Sequence, residues 1–304
     1  MKRFIFLLVF SFGCVFLLAS CKKSEEKTGG LKIVTTDFVQ YDFVKHITKD
    51  VLDVEVEILV PPGVDVHSFE PTPKDMLKIK KADLFIYGGG EEEKWVEKIL
   101  NSTQKEKGFL VSFVDMVKQK TNIKKEDLKK DSHVWTSLNN VVLILKQLAE
   151  RICEIDEKNR QKYLNNVEGY LKEFEKINLN FLEFLKNKKR DLVVFADGFS
   201  FFHFLKDFNL KYVSAFSNCS CEDVEVNSTD VLKIIKTIKS EKIPIVLKLE
   251  KSKSKIAKTI KDQTGVEVKT LYSFHSYSKE DLEKEDVFLN RFKQNIKTLK
   301  EALS

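Results

Sequence analysis

Cysteine, proline and glycine are scarce in this chain: its 304 residues include five cysteines, five prolines and 11 glycines. The cysteines are too few for a disulfide-stapled scaffold, so a hydrophobic core has to stabilise the fold. Four of the five prolines fall between residues 61 and 73. Because proline interrupts helices and strands, this distribution marks one stiff segment and leaves the rest of the chain open to regular structure.

Several functional motifs are also missing. The chain has no Gly-x-Gly-x-x-Gly pattern and no P-loop, and three acids follow Gly88-Gly89-Gly90, which favours a tight strand-to-helix turn over a phosphate cradle. The hydrolase patterns His-Glu-x-x-His and Gly-x-Ser-x-Gly are absent as well. The net charge of +6 is spread among interleaved acids, which does not favour nucleic acid as a partner.

The N-terminus has the organisation of a secretory signal. A basic start is followed by a predominantly apolar run over residues 4–18 and then by Leu18-Ala19-Ser20-Cys21. A transmembrane helix is the alternative, but this run is short for a membrane span. The boundary resembles a bacterial lipobox, which implies cleavage before Cys21, lipidation of its thiol and anchorage to the outer face of a membrane. Residues 1–21 are then a signal peptide and residues 22–30 a flexible tether.

Strand-like and helix-like segments alternate along the remaining chain, which predicts parallel sheets covered by helices on both faces. The length indicates two domains, an N-terminal lobe over residues 31–156 and a C-terminal lobe over residues 191–304. Between them, in residues 157–190, apolar residues recur at helical spacing from Glu157 to Lys188, which predicts one helix of ~48 Å. The lysine-rich segment Lys118–Lys130 is interpreted as a solvated loop.

The individual elements can be placed from periodicity and turn signals. Strands are predicted over residues 31–35, 54–60, 84–87, 109–113, 192–195, 212–216, 242–249 and 266–271. Helices are predicted over residues 38–47, from 73 onward, through 95–100, and over 139–153, 157–188, 252–264 and 287–299.

Two histidines lie in loops ahead of predicted helices. Pro61-Pro62-Gly63 ends a strand, and His67 follows it in a loop stiffened by Pro71 and Pro73. His133 occupies the same kind of position before the next long helix. Ligands of α/β sheets bind beyond the carboxyl ends of the strands, and imidazole is a common metal ligand. These histidines are therefore candidate ligands, with plain surface histidines as the alternative.

Several motifs together resemble the metal-binding lipoproteins of bacterial zinc and manganese ABC importers. In chain order they are Thr35-Thr36, Tyr41-Asp42-Phe43-Val44, Pro61-Pro62-Gly63, His67-Ser68-Phe69-Glu70-Pro71, Ala82-Asp83-Leu84-Phe85-Ile86-Tyr87 and His133-Val134-Trp135. The resemblance implies an α/β fold of two parallel-sheet lobes joined by one long rigid helix, with the metal site in the interlobe cleft. It also implies a ligand in the C-terminal lobe at His275, where one branch of the family carries histidine.

One ligand of the family is missing. Relatives usually carry a third histidine at the position of Ala196, whose side chain has no donor atom. Cys219, favoured over Cys221, follows a predicted strand of the same lobe, and a thiolate suits zinc, so Cys219 is the candidate replacement; a loop cysteine without metal is the alternative. His203 lies ~10 Å further along a helix and is interpreted as a packed residue, and His46 as a residue of a helix surface.

The ligand set favours zinc as the cargo, with manganese as the alternative, because manganese sites are richer in oxygen. The chain is expected to be a lipid-anchored extracytoplasmic receptor, and not an enzyme, that passes its metal to the permease subunits of an ABC importer. Two other classes stay open. One is a zinc hydrolase with Glu70 as general base, although Glu70 is better explained as supporting the His67 loop. The other is a surface adhesin whose metal site has degenerated.

Overall fold

The computed structural model describes most of the chain after residue 28. The described residues are 29–90, 93, 95–96, 109–196, 198–214, 216, 228–250, 252 and 255–304. The predicted signal peptide with Cys21, most of the predicted tether, most of the predicted helix through residues 95–100, and Cys219 with Cys221 lie outside these residues. Within the described ranges, no helix combines the length and the apolar character needed to cross a membrane.

The N-terminal lobe is built on a parallel sheet with the strand order β2-β1-β3-β4. The strands are β1 (Leu31–Thr35), β2 (Val54–Ile58), β3 (Leu84–Tyr87) and β4 (Leu110–Ser112). Consecutive residues of a strand point to opposite faces, and yet Ile33 and Val34 of β1 are both buried. The sheet is therefore covered on both faces, as the run of apolar residues in β1 predicts.

Two helices connect the first three strands, and three more follow β4. They are α1 (Phe38–Ile47), α2 (Pro73–Lys81), α3 (Phe113–Lys120), α4 (Lys125–Lys130) and α5 (Leu138–Ile155). The side chains of Asp37, Thr72, Ser112 and Ser137 accept hydrogen bonds from backbone N–H groups in the first turns of α1, α2, α3 and α5. These caps fix where each loop ends and each helix begins.

The C-terminal lobe repeats this architecture with the strand order β6-β5-β7-β8, again with parallel pairs. Its strands are β5 (Leu192–Phe195), β6 (Lys211–Ser214), β7 (Ile245–Leu249) and β8 (Glu267–Leu271). Its helices are α7 (Phe202–Asp207), α8 (Ser228–Ser240), α9 (Ile256–Thr264), α10 (Lys279–Leu282) and α11 (Val287–Leu303). The predicted fold class, two parallel-sheet α/β lobes, is confirmed.

One long helix, α6 (Arg160–Leu185), lies between the lobes. Its 26 residues span ~39 Å, less than the predicted 48 Å, because residues 157–159 form a 3-10 turn and the helix ends at Leu185 instead of Lys188. Tyr170 of α6 packs edge-on against Phe43 of α1, and Phe174 packs against Phe292 of α11. The side-chain amide of Asn166 also donates to the carbonyl groups of Ile47 and Lys49 at the end of α1. The helix is thus packed into both lobes.

Some predicted elements are wrong in detail. The segment Lys118–Lys130 is not a solvated loop: α3 runs to Lys120, and α4 occupies Lys125–Lys130. The partly buried side chains of Ile123 and Leu128 hold this segment against the main core, and its many lysines obscure that apolar contact. Strand β2 ends at Ile58 instead of Val60, and α9 begins at Ile256 instead of Ser252.

Candidate metal centre

Three histidines from both lobes meet between the two sheets. His67 lies in a 3-10 turn after β2, His133 immediately precedes a 3-10 turn ahead of α5, and His275 follows β8. One ring nitrogen from each lies within 4.8 Å of the others. The ring centroids are 5.4 Å apart for His67 and His133, 4.8 Å for His67 and His275, and 4.0 Å for His133 and His275. Such a cluster can hold a metal ion.

Hydrogen bonds to Asp65 within the loop and to Tyr277 of the opposite lobe hold the loop that carries His67. The Asp65 side chain accepts the backbone N–H of His67 at 2.9 Å and so caps the 3-10 turn. Gly63, at a φ of 83°, donates its N–H to the carbonyl of Tyr277 at 2.9 Å, and the Tyr277 hydroxyl donates back to the carbonyl of Val60. Tyr277 therefore joins the loop of His67 to the segment that follows His275.

His133 is buried and held by Asp131. The Nδ1 atom of His133 lies 2.5 Å from the Asp131 carboxylate, which also accepts the backbone N–H of His133 at 3.0 Å. Burial alone would raise the pKa of Asp131, but the charge and hydrogen bonds of His133 outweigh it and hold the pKa below its usual range. Asp131 stays ionised in this pair, so it fixes the orientation of the imidazole.

His275 is a buried imidazole with an unpartnered ring nitrogen. The residue is 6% exposed, and among the described residues its Nε2 atom has no hydrogen-bond partner. Burial, reinforced by the neighbouring His133 and His67, lowers the pKa of His275 well below its usual value. The ring is therefore neutral near pH 7, and its buried Nε2 has a lone pair that a metal ion could accept.

The other candidate residues are not part of this cluster. Ala196 is fully buried at the end of β5. His203 is also buried, as predicted, and its Nε2 lies 2.6 Å from the carbonyl oxygen of Asp131, so its ring supports the Asp131 segment. His46 stacks on Tyr170 with centroids 3.7 Å apart and is half-buried.

Two carboxylates that interact with the histidines of the site are not predicted from the sequence. Asp131 stands two residues before His133, and that spacing is the only signal that could have identified it. Asp37 is buried, and this burial raises its pKa to about 7, with the backbone N–H of Phe38 and the charge of His67 acting in the opposite direction. The proposed support from Glu70 stays a prediction; its side chain is exposed.

Known proteins resemble the chain over its whole length. The family model described as zinc-uptake complex component A, periplasmic, matches residues 33–302. The high-affinity zinc uptake system protein ZnuA of Bacillus subtilis is 28% identical over 308 residues, which cover 95% of each chain. The manganese ABC transporter substrate-binding lipoprotein PsaA of Streptococcus anginosus is 26% identical over 316 residues, which cover 100% of each chain.

A third relative is longer than this chain. The zinc-binding lipoprotein AdcA of Streptococcus pneumoniae is 25% identical over 300 residues, which cover 95% of this chain and 59% of AdcA. Among solved structures, the crystal structure of the metal-dependent lipoprotein YcdH from Bacillus subtilis is similar with a TM-score of 0.76 and 27% identity, covering 90% of this chain and 100% of that chain. Because the family match extends from the first strand to the last helix, the chain belongs to the family of zinc-uptake complex component A proteins.

Proposed function

We propose that the protein is the extracytoplasmic receptor of an ABC importer, and that it captures zinc between its lobes for delivery to a membrane permease. The observation that carries this proposal is the convergence of His67, His133 and His275 within 4.8 Å. Two of these histidines belong to the N-terminal lobe and one to the C-terminal lobe, so a captured ion would join the lobes. The zinc and manganese relatives support a divalent metal as the cargo.

The geometry fits a zinc ion after a small contraction. Nitrogen ligands of tetrahedral zinc lie ~2.0 Å from the ion and hence ~3.3 Å from one another. The observed spread of up to 4.8 Å needs the rings to approach by about an ångström or two. Asp131 occupies Nδ1 of His133, so Nε2 is the nitrogen with which His133 coordinates.

The donor set favours zinc over manganese. Its three members are histidines, which bind a metal as neutral imidazoles, and zinc accepts such ligands readily, whereas manganese prefers oxygen. Ala196 contributes no donor at the position where relatives carry a histidine, so a fourth position stays available to Cys219 or to water. With Cys219 the site would hold one thiolate and three imidazoles; with water it would be open to solvent.

The sequence around Cys21 places this receptor on the outer face of the cell membrane, periplasmic or at the cell surface. Lipidation of Cys21 anchors it there, and the permease subunits of the importer are its partners. We assign it a binding role and not a catalytic one. Glu70, the carboxylate considered as the general base of a hydrolase, is exposed, and Asp131 is committed to orienting His133.

Metal titration tests the proposal. Metal-free protein is titrated with zinc, and manganese then competes with zinc for the loaded protein. One zinc ion is expected to bind per chain, and manganese is expected not to displace it at equal concentration. No stoichiometric binding would favour the adhesin with a degenerate site, and turnover of ester or peptide substrates by the zinc-loaded protein would favour a hydrolase.

A further inference from the structure

The turn that presents His275 is held by a glutamate from the neighbouring strand. Glu250 directly follows β7, and its carboxylate accepts three hydrogen bonds from the residues that precede His275. One oxygen accepts the backbone N–H of Ser273 at 2.7 Å. The other accepts the Ser273 hydroxyl at 2.9 Å and the backbone N–H of Phe274 at 2.8 Å. The backbone N–H of Glu250 also donates to the carbonyl of Leu271 at 3.1 Å.

This turn has a strained conformation. Phe274 adopts a φ of 69°, in the left-handed region that bulky side chains disfavour. Its ring is fully buried and lies 4.3 Å from the ring of Phe288 in α11. A strained residue persists only where its surroundings over-determine it, and here the Glu250 carboxylate binds the N–H of Phe274 itself. The backbone conformation of Phe274 in turn sets the direction in which the side chain of His275 points.

A second contact fixes the other end of the turn. The backbone N–H of Tyr272 donates to Oδ1 of Asn295 at 2.8 Å, and Nδ2 of Asn295 donates to the carbonyl of Tyr272 at 2.8 Å. Asn295 belongs to α11 and is buried. The turn is thus held between the end of β7 and the last helix. In these hydrogen bonds, Asn295 contributes a neutral amide and Glu250 contributes an ionisable carboxylate.

The chemistry of these contacts requires a carboxylate. All three groups that face Glu250 are donors, and an ionised carboxylate offers two acceptor oxygens. Burial raises the pKa of Glu250, while the N–H groups of Ser273 and Phe274 act against this shift because they stabilise the charged form. A glutamine would keep one acceptor and turn an N–H₂ group toward an N–H donor, so it would lose at least one hydrogen bond without a change in size.

We propose that Glu250 is a positioning residue of the metal site, which holds the Ser273–Phe274 turn so that the ring of His275 faces His67 and His133. It does not touch the metal; it acts through His275. This assignment rests on the proposed function, because positioning of His275 matters only if His275 coordinates the cargo.

The test is a double-mutant cycle on zinc affinity in the full chain. Glu250→Gln is expected to weaken zinc binding about 10-fold, the low end of what loss of a supporting contact costs a metal ligand. In a His275→Ala background the same substitution should change affinity less than twofold. In a His67→Ala background the 10-fold loss should persist, because Glu250 does not act through His67. The matched control is Glu241→Gln, which alters an exposed glutamate of the same lobe.

The outcomes distinguish failure of zinc binding from failure of the role assigned to Glu250. If the unaltered protein binds no zinc, the proposed function fails. If it binds zinc and His275→Ala weakens binding, the function stands, and an equal loss from Glu250→Gln in all three backgrounds would assign Glu250 a general structural role and overturn the inference. Unchanged affinity in Glu250→Gln would overturn it too. Should that variant not fold, Ser273→Ala removes one of the three bonds and is expected to weaken binding about twofold, again only where His275 is present.

Discussion

Asp131 Oδ1 lies 2.5 Å from Nδ1 of His133, and the same carboxylate reaches across to the opposite lobe, where its Oδ2 accepts the backbone N–H of Phe202 at 3.0 Å. One buried side chain therefore orients a candidate ligand of the N-terminal lobe and binds the first turn of α7 in the C-terminal lobe. The pair links the geometry of the site to the relative position of the two lobes.

Asp131→Asn is expected to weaken zinc binding about 10- to 100-fold, because the amide lacks the charge that holds the His133 ring and fixes its tautomer. Zinc titration measures the loss. Asp115→Asn is the matched control, since Asp115 is exposed and pairs only with Lys118 among the ion pairs of the described residues. Normal affinity in Asp131→Asn would show that the His133 ring is positioned by packing alone.

His67→Ala and His133→Ala are each expected to reduce zinc affinity by more than the 10- to 100-fold typical of a supporting residue, because each removes a direct ligand. The fold should survive, since both histidines lie in turns outside the helices and strands that form the core. Titration together with circular dichroism checks both points. His46→Ala serves as the control and should bind zinc normally; unaltered binding by both site variants would refute the assignment.

The pKa of Asp42 makes the free energy of unfolding depend on pH. Burial raises its pKa to about 7, only partly offset by hydrogen bonds from the Tyr170 hydroxyl and the Phe288 backbone. In the folded protein Asp42 keeps its proton up to about pH 7, whereas in the unfolded chain it releases the proton near pH 4. The contribution of Asp42 to the free energy of unfolding is therefore complete below about pH 4 and is lost as pH rises through about 7. Between pH 5 and pH 8 the metal-free protein should lose roughly 2–3 kcal/mol through this group.

Asp42→Asn removes the titration and keeps an acceptor for Tyr170, so its stability should change less between pH 5 and pH 8 than that of the unaltered protein. Urea unfolding at both pH values measures the difference. Asp50→Asn, at an exposed aspartate, is the control. Parallel pH dependence in the unaltered protein and Asp42→Asn would mean that Asp42 is ionised in the folded state near pH 5.

The fourth ligand can be identified by pH-dependent titration. If Cys219 binds as a thiolate, zinc has to displace a proton from a group with a free pKa near 8.5, so affinity falls steeply as pH drops. Cys219→Ser should then weaken binding and flatten its pH dependence above about pH 7, and Cys221→Ser should do less. Unchanged affinity in Cys219→Ser would leave water in that place, and Ala196→His should then tighten binding.

The lipid anchor makes a separate prediction. Cys21→Ser removes the thiol that lipidation requires, so the protein is expected to leave the membrane fraction. Cell fractionation with detection of the protein in membrane and soluble fractions measures this, and Cys14→Ser, within the predicted signal peptide, is the matched control. A membrane-bound Cys21→Ser variant would point to retention by other means.

The sequence predicted those features that depend on local pattern. Helix α1 was predicted with its observed ends, because residues at helical spacing recur through it. The loop positions of His67 and His133 followed from strand ends and turn residues. Contacts between distant segments have no local sequence pattern and could not be predicted. His203 binds the carbonyl of Asp131 from 72 residues away, and Glu250, at the end of β7, holds the turn before His275.

The packing of helix α6 against both lobes affects whether either lobe can fold alone. One continuous apolar core includes Phe43 of the first lobe, Tyr170 and Phe174 of α6, and Phe288 and Phe292 of the last helix. A break in the chain anywhere along α6 would leave each fragment with an uncovered aromatic face. We therefore expect that neither half folds on its own and that heating melts the whole protein in a single cooperative transition.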